Sequence, residues 1–160
     1  MKKTDLRYRA YVQILKEELV PAMGCTEPIA LAYAAAVARK TLGVLPDKVE
    51  VAASGSIIKN VKSVIVPHTG HLKGIPAAAA AGIVAGDAEK KLEVISYVKE
   101  EQVEEIKQFL EQTPITVEHL ESGITFDIEV TVHAGADSAK VRIANYHTCL
   151  LYTSDAADDK

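Results

Sequence analysis

The sequence predicts an α+β fold in which buried, alanine-rich helices precede a mixed or antiparallel sheet. Residues 29–41 and 75–86 are apolar on nearly every side, as expected of helices that lie inside a core. Residues 115–120, 125–133 and 139–146 alternate apolar and polar side chains with the period of two that is typical of strands. Helices at the front and a strand meander at the back therefore favour the α+β class.

The first part of the chain predicts two helices separated by a turn. Residues 8–20 carry apolar side chains at helical spacing, and Pro21 ends this helix because proline has no N–H to donate. Thr26 is predicted to cap the next helix, with the carboxylate of Glu27 in its first turn. Gly43 is expected to end that helix as a C-cap.

The middle of the chain predicts several short elements. We expect, in order, a strand at 48–53, a turn or short helical piece at 57–60, a strand at 61–66, a polar loop at 68–74 and a surface helix at 100–112. The sequence shows no internal repeat.

Composition and charge limit the classes of partner. At 160 residues, 48% hydrophobic and 25% charged, the chain has the composition of one globular domain. The net charge of −4 and the lack of a basic cluster argue against nucleic acid as a partner. The first residues lack an apolar signal core, and the longest apolar run is about 12 residues where a membrane span needs roughly 20. Two cysteines make no disulfide framework, so a cytoplasmic location without a membrane partner is predicted.

The last residues differ from the rest. Residues 149–159, CLLYTSDAADD, look like the translated end of a transposase-based sequencing adapter, and the strand pattern stops at Thr148. We therefore predict a natural domain at 1–148 and a non-native tail at 149–160, in which case Cys149 carries no chemistry and the natural protein continues past Thr148. The alternative is a genuine acidic tail.

Cys25 is the residue whose side chain offers the most reactive chemistry. It lies just before a helix, where unpaired N–H groups and the helix dipole favour thiolate over thiol. Three roles stay open on local chemistry alone: a buried residue that fills a tight turn, a nucleophile paired with His68, His71 or His147, and a metal ligand.

Four segments resemble one family. Residues 24–36, GCTEPIALAYAAA, resemble the N-terminal signature of the L-cysteine desulfidase family, which is related to the α part of the iron–sulfur L-serine dehydratases. Residues 54–60, SGSIIKN, residues 66–79, VPHTGHLKGIPAAA, and residues 147–148, HT, resemble further motifs of that family in the same order. The similarity covers about residues 8–148, as judged from motif spacing.

The resemblance implies a function and a cofactor. Family members hold a [4Fe–4S] cluster on three cysteines, of which Cys25 matches the first, and convert L-cysteine to sulfide, ammonia and pyruvate without pyridoxal phosphate. The other two ligands lie downstream in the family and are absent here. We therefore predict that the chain is the N-terminal part of a serine dehydratase-like α domain, a partial domain of a larger lyase, and is inactive as truncated.

The resemblance also implies residues that bind a small amino-acid substrate. These are polar residues in the matched segments, and they are Thr26, Glu27, Lys59, Asn60, Thr69 and His147. Plain structural roles compete: Thr26 can cap a helix, Lys59 can be a solvated surface residue, and Thr69 can belong to an ordinary turn. No general base is identified.

Two alternatives remain. One is an L-serine dehydratase α subunit, which shares the cluster chemistry. The other is a non-catalytic domain that binds an amino acid or a partner subunit. Truncation further predicts that the helices at 29–41 and 75–86 leave apolar surface uncovered, which would drive association into a homo-oligomer.

Overall fold

The computed structural model describes residues 26–145 and 150–155. The helices are α1 (Thr26–Leu42), α2 (Gly55–Val61), α3 (Gly74–Ala85) and α4 (Glu100–Gln112), with a 3₁₀ helix at Ala88–Glu93. The strands are β1 (Lys48–Ala53), β2 (Ile115–His119), β3 (Asp127–Ala134), β4 (Asp137–Ala144) and β5 (Leu150–Asp155). Helices together with one sheet confirm the predicted α+β class.

The five strands form one mixed sheet in the order β2-β1-β3-β4-β5. β1 and β2 are parallel, and the crossover between them contains α2, α3 and α4. The other neighbours are antiparallel. Gly135 has φ +60° in the two-residue loop between β3 and β4, a conformation that glycine adopts without strain.

The two faces of the sheet differ because successive side chains of a strand point to opposite sides. Val49, Val51, Val130 and Val141 are buried on the face covered by helices, where α1 lies across β3 and β4. The opposite face carries charged side chains in ion pairs, such as Lys140 Nζ to a Glu129 carboxylate oxygen at 2.5 Å and Lys48 Nζ to a Glu50 carboxylate oxygen at 3.2 Å. The sheet therefore has one apolar and one polar face.

The helical layer is built on very close contact between α1 and α3. A Cβ atom placed on Gly82 of α3 would lie 2.0 Å from the backbone oxygen of Ala32 in α1, so only glycine fits there. The Arg39 guanidinium of α1 donates a hydrogen bond of 2.6 Å to the Ile83 carbonyl near the end of α3, where helical carbonyls lack partners within the helix. α4 then packs against α3.

Several predicted elements are confirmed with small shifts. β1 and α4 have the predicted bounds. Thr26 lies within α1, so it is a helical residue and not the cap that precedes the helix. Gly43 has φ +86° and donates its N–H to the Arg39 carbonyl at 2.9 Å, which confirms it as the residue that ends α1. The predicted helix at 8–20 lies outside the described residues.

The predicted strand at 61–66 is wrong. Val61 is the last residue of α2, and the segment after it makes only an isolated bridge between Ile65 and Lys73. Val61 and Val66 are buried, so their apolar character reflects burial of an irregular segment rather than a strand. Short apolar runs do not distinguish these cases by periodicity.

Two predictions about the later strands need correction. β2 is parallel to its neighbour β1, because the chain reaches it through the helical crossover. Residues 150–155 form β5 at the edge of the sheet, although no strand was expected in the tail. β5 pairs with N–H and C=O groups on the outer side of β4, which without it would be open to any neighbouring extended segment. The predicted origin of residues 149–160 is not decided by this pairing.

The expectation of uncovered apolar helices is also wrong for the described part of the chain. Nearly every residue of α1 from Pro28 to Ala38 is buried, and so is α3 from Ala77 to Ile83. Few large hydrophobic side chains are exposed there: the adjacent Val44 and Leu45, and Ile65, Tyr97 and Val117 elsewhere in the chain. Within residues 26–145 and 150–155, no helix combines the length and the apolar character needed to cross a membrane.

A buried ion pair joins β3 to β4. Asp127 is fully buried and accepts hydrogen bonds from Arg142 Nε at 2.9 Å and Nη2 at 2.6 Å, and another from the Ser122 hydroxyl. Burial alone would raise the pKa of Asp127, but the bonds from Arg142 and Ser122 outweigh it and hold that pKa below its ordinary value. The pair thus stabilises the fold only while the carboxylate is ionised.

Replacing Gly82 with alanine should destabilise the protein. Alanine is normally favoured over glycine in a helix by about 1 kcal/mol, but here its methyl group would press on the Ala32 carbonyl. We expect a loss of about 1–3 kcal/mol in the free energy of unfolding, measured by urea denaturation followed by circular dichroism. Gln108→Ala on the exposed face of α4 is the control and should change stability by less than about 0.5 kcal/mol. Equal stability of the two variants would contradict the close packing.

Replacing Asp127 with asparagine should cost about 3 kcal/mol of stability at pH 7, because the charge that balances Arg142 is removed. Since the folded pKa of Asp127 lies below its unfolded value of about 3.9, the contribution is present above that pH and is lost as the pH falls through the folded pKa. The stability difference between wild type and Asp127→Asn should therefore shrink below about pH 4. Thermal unfolding from pH 2 to 7 measures it, with exposed Asp137→Asn as the control. A difference that does not change with pH would disprove the role of the ionised carboxylate.

Candidate functional site

Two segments that the sequence singled out meet at the start of α1. Glu27 lies in the first turn of α1, and Asn60 lies in the last turn of α2. Asn60 Nδ2 donates a hydrogen bond of 3.1 Å to Glu27 Oε1, although the two residues are 33 positions apart in the chain. The contact brings the GCTEP and SGSIIKN segments together.

The local fold of α2 explains why its polar end points this way. At its start, Ser54 donates its N–H to the Asp127 carbonyl at 2.9 Å and its hydroxyl to the Thr125 carbonyl at 2.6 Å, which fixes the helix to the sheet. Ile57 and Val61 are buried on the inner side of α2. The opposite side of α2 faces solvent, and Lys59 and Asn60 are exposed there.

The group around the contact is polar and open to solvent. Lys59 and Asn60 are exposed, and Glu27 is half-buried. Glu27 lies in the first turn of α1, so its contact with Asn60 lies beside a helix N-terminus, where backbone N–H groups and the dipole favour negative charge. The amide of Asn60 and the carboxylate of Glu27 are therefore available to a small polar molecule, and exposed Lys59 is the neighbour of Asn60 in α2.

The other predicted site residues lie elsewhere or cannot be placed. Thr69 is fully buried and donates its hydroxyl to the Val66 carbonyl at 2.7 Å, so its side chain holds its own turn together. The geometry gives no support to a substrate contact by that side chain. Thr26 is half-buried at the start of α1. Cys25 and His147 lie outside the described residues.

A cleft at the other end of α2 was missed by sequence reasoning. It has a volume of about 350 Å³, a size that suits small molecules, and lies where the parallel strands β1 and β2 end. Ser54, Gly55, Ser56 and His119 are among its lining residues. His119 Nε2 lies 3.2 Å from the place where a Cβ on Gly55 would be. Only the parallel pairing of β1 with β2 brings His119 here, and no local pattern signals that pairing.

The residues present do not complete the expected iron–sulfur site. Among residues 26–145 and 150–155 no three histidine, cysteine, aspartate or glutamate side chains are arranged to hold a metal ion. The whole sequence contains two cysteines, whereas the expected cluster takes three cysteine ligands. No catalytic step through such a cluster can therefore be derived from this chain.

The chain is similar to several longer proteins that share one name. It is 53% identical over 152 residues to a UPF0597 protein of Desulfitobacterium hafniense, covering 95% of this chain and 35% of that protein. UPF0597 proteins of Treponema denticola and Lachnoclostridium phytofermentans are 44% and 48% identical over 91% and 88% of the chain, and 34% of each is covered. The chain thus spans about a third of the length of the curated relatives it matches.

These relatives correct the family that the motifs indicated. The relatives that match most of the chain, at 41–53% identity, carry the name UPF0597 protein, and none of them is named a desulfidase. The assignment to the L-cysteine desulfidase family is therefore wrong. No family model matches the chain, and no solved structure is similar to it. By sequence, the chain resembles the UPF0597 proteins.

Proposed function

We propose that the longer relatives of this chain, about a third of whose length it matches, are lyases that act on a small amino acid. In this proposal the chain supplies part of the substrate site. The reaction is the β-elimination of L-cysteine to sulfide, ammonia and pyruvate, a carbon–sulfur cleavage in cysteine catabolism. L-Serine, which differs from L-cysteine in its leaving group, is the second candidate substrate. The observation that carries the proposal is the contact between Asn60 and Glu27 at 3.1 Å beside the start of α1.

The chemistry balances with water as the only other reactant. A base removes the α-proton of the amino acid, and the Cβ–S bond breaks as the Cα=Cβ bond forms, so that sulfur leaves with the electron pair and takes up a proton. The resulting enamine tautomerises to an imine, which water hydrolyses to pyruvate and ammonia. No group in the described part of the chain is assigned as the base.

The residues near the contact bind and orient the substrate in this proposal. The Lys59 ammonium and the second N–H of the Asn60 amide bind the α-carboxylate, as charge-assisted hydrogen bonds do in other amino-acid sites. Glu27 holds the Asn60 amide in one orientation through the bond it accepts. Glu27 is thus a positioning residue, and it lies two positions after Cys25 in the sequence.

Cys25 is proposed as one thiolate ligand of a [4Fe–4S] cluster, with no pyridoxal phosphate involved. It directly precedes α1, whose N-terminal end favours the ionised thiol. Because the chain has only two cysteines, the remaining ligands come from the parts of the longer proteins that this chain does not cover. The cytoplasm, where thiols stay reduced, is the location that suits such a cluster.

The 160-residue chain alone should be inactive. After anaerobic incubation with iron and sulfide, we expect no stoichiometric [4Fe–4S] absorption and no sulfide or pyruvate release from L-cysteine, because two cysteines do not supply the three ligands of the proposed cluster. The measurement is iron and sulfide content per chain together with a pyruvate assay. A full cluster with turnover would show that the site is complete without further residues.

The full-length Desulfitobacterium relative should be active under the same conditions. Alanine at its position aligned with Asn60 should lower kcat/KM for L-cysteine by about tenfold to a hundredfold, which corresponds to one hydrogen bond to a charged group. Serine at the position aligned with Cys25 should reduce the cluster content. Alanine at the position aligned with Gln108, an exposed amide on α4, is the matched control and should leave both unchanged.

The outcome separates the alternatives. Higher kcat/KM for L-serine than for L-cysteine would identify a dehydratase. A full-length protein that binds these amino acids, holds no iron and shows no turnover would be a non-catalytic binding domain, which would refute the lyase proposal.

A further inference from the structure

β2 is an exposed edge of the sheet. Among residues 26–145 and 150–155 it pairs with β1 alone, and from Thr116 to His119 all of its side chains are exposed to solvent. Val117 is 38% exposed although it points to the side of the sheet that is buried elsewhere, since its register partner Val51 is buried. The helical layer therefore covers β2 only in part, at Ile115.

The backbone of β2 offers hydrogen-bonding groups at alternate residues. The Pro114 carbonyl accepts from Val49 at 2.9 Å, and Leu120 donates its N–H to Ala53 at 2.8 Å. Residues 114 and 120 thus direct backbone groups to β1, and by alternation residues 116 and 118 do the same. Residues 115, 117 and 119 direct both N–H and C=O to the open edge.

This pattern is complementary to itself. If two β2 strands meet antiparallel with Val117 on a twofold axis, each Val117 exchanges both backbone hydrogen bonds with the Val117 of the second copy. Ile115 exchanges both bonds with His119 of the other strand, so every outward group of the strand is paired. Thr116 lies opposite Glu118, and no like charges face each other across the pair.

Other pairings of the same strand are poorer. A twofold axis at Glu118 would set two carboxylates opposite each other and would use backbone groups that β1 already holds. An axis at Ile115 would leave the groups of His119 without partners in the second strand. The Val117 register is thus the one that satisfies both charge and hydrogen bonding.

We propose that two copies of this chain associate through β2, paired antiparallel about Val117, so that one continuous sheet runs through both. The two Val117 side chains cover each other on the helical side of the sheet. On the polar side, each Thr116 hydroxyl lies beside the Glu118 carboxylate of the second copy. A second copy fits better than an unrelated peptide because the same five-residue strand supplies both partners of each contact.

Charge changes at Thr116 test the register directly. Sedimentation of the 160-residue chain over a concentration series should show a monomer–dimer equilibrium. Thr116→Lys places a positive charge opposite Glu118 of the second copy at two symmetric positions and should lower the dimer Kd about two- to thirtyfold. Thr116→Glu places a negative charge there and should raise the Kd by a similar factor. Urea unfolding of both variants confirms that the fold is retained. Equal Kd values for the two variants would overturn the proposed register.

A proline at position 117 tests the backbone pairing. Val117→Pro removes an N–H that β1 does not use, and edge strands tolerate proline at such positions, so the monomer should keep its fold and the dimer should be lost. Lys107→Ala on α4 is the control and should leave the dimer unchanged. A chain that is monomeric at every concentration, or a dimer that survives Val117→Pro, would overturn the proposal. The proposal would also be overturned if the full-length Desulfitobacterium relative is monomeric and its backbone amide aligned with Val117 is protected from hydrogen exchange. The edge of β2 would then be covered by the rest of that polypeptide.

Discussion

The close approach of α1 and α3 at Gly82 is the constraint on which the other contacts depend. Backbone meets backbone there, at a distance that excludes even a methyl group between Gly82 and Ala32. α1 also lies across β3 and β4, so this helix joins α3 to the middle of the sheet. Alanine serves this architecture because it adds little side-chain volume and is the best helix former.

The same constraint places the candidate site. Since α1 is held along its length, its first turn has a defined position, and Glu27 can meet Asn60 from a separate helix. α2 is in turn fixed to the sheet through Ser54. The contact itself is exposed and adds little to stability, as surface polar contacts generally do. Its value lies in orienting groups that the rigid core brings together.

The sequence predicted the local elements well and the long-range arrangement poorly. α4 and the end of α1 at Gly43 were predictable because amphipathic spacing and a left-handed glycine are local signals. The parallel direction of β2 and the irregular conformation of residues 61–66 depend on packing between distant parts of the chain, which a short stretch of sequence does not reveal. For the site, the matched motifs gave Glu27 and Asn60 as two of six candidate residues but did not indicate that the two side chains touch. His119 was passed over because its neighbours come from a distant strand, and the family inferred from the motifs did not match the relatives.

The parallel pairing of β1 and β2 has a consequence for how the chain assembles. Val49 lies opposite Ile115, so the two strands can pair only when segments that are far apart in the chain meet. Loop-closure entropy makes such non-local pairing a slow step relative to helix formation or the closing of the β3–β4 hairpin. The cleft between Ser56 and His119 therefore exists only in chains that have completed this crossover. On a ribosome, it would be absent until His119 has emerged, whatever the state of the helices before it.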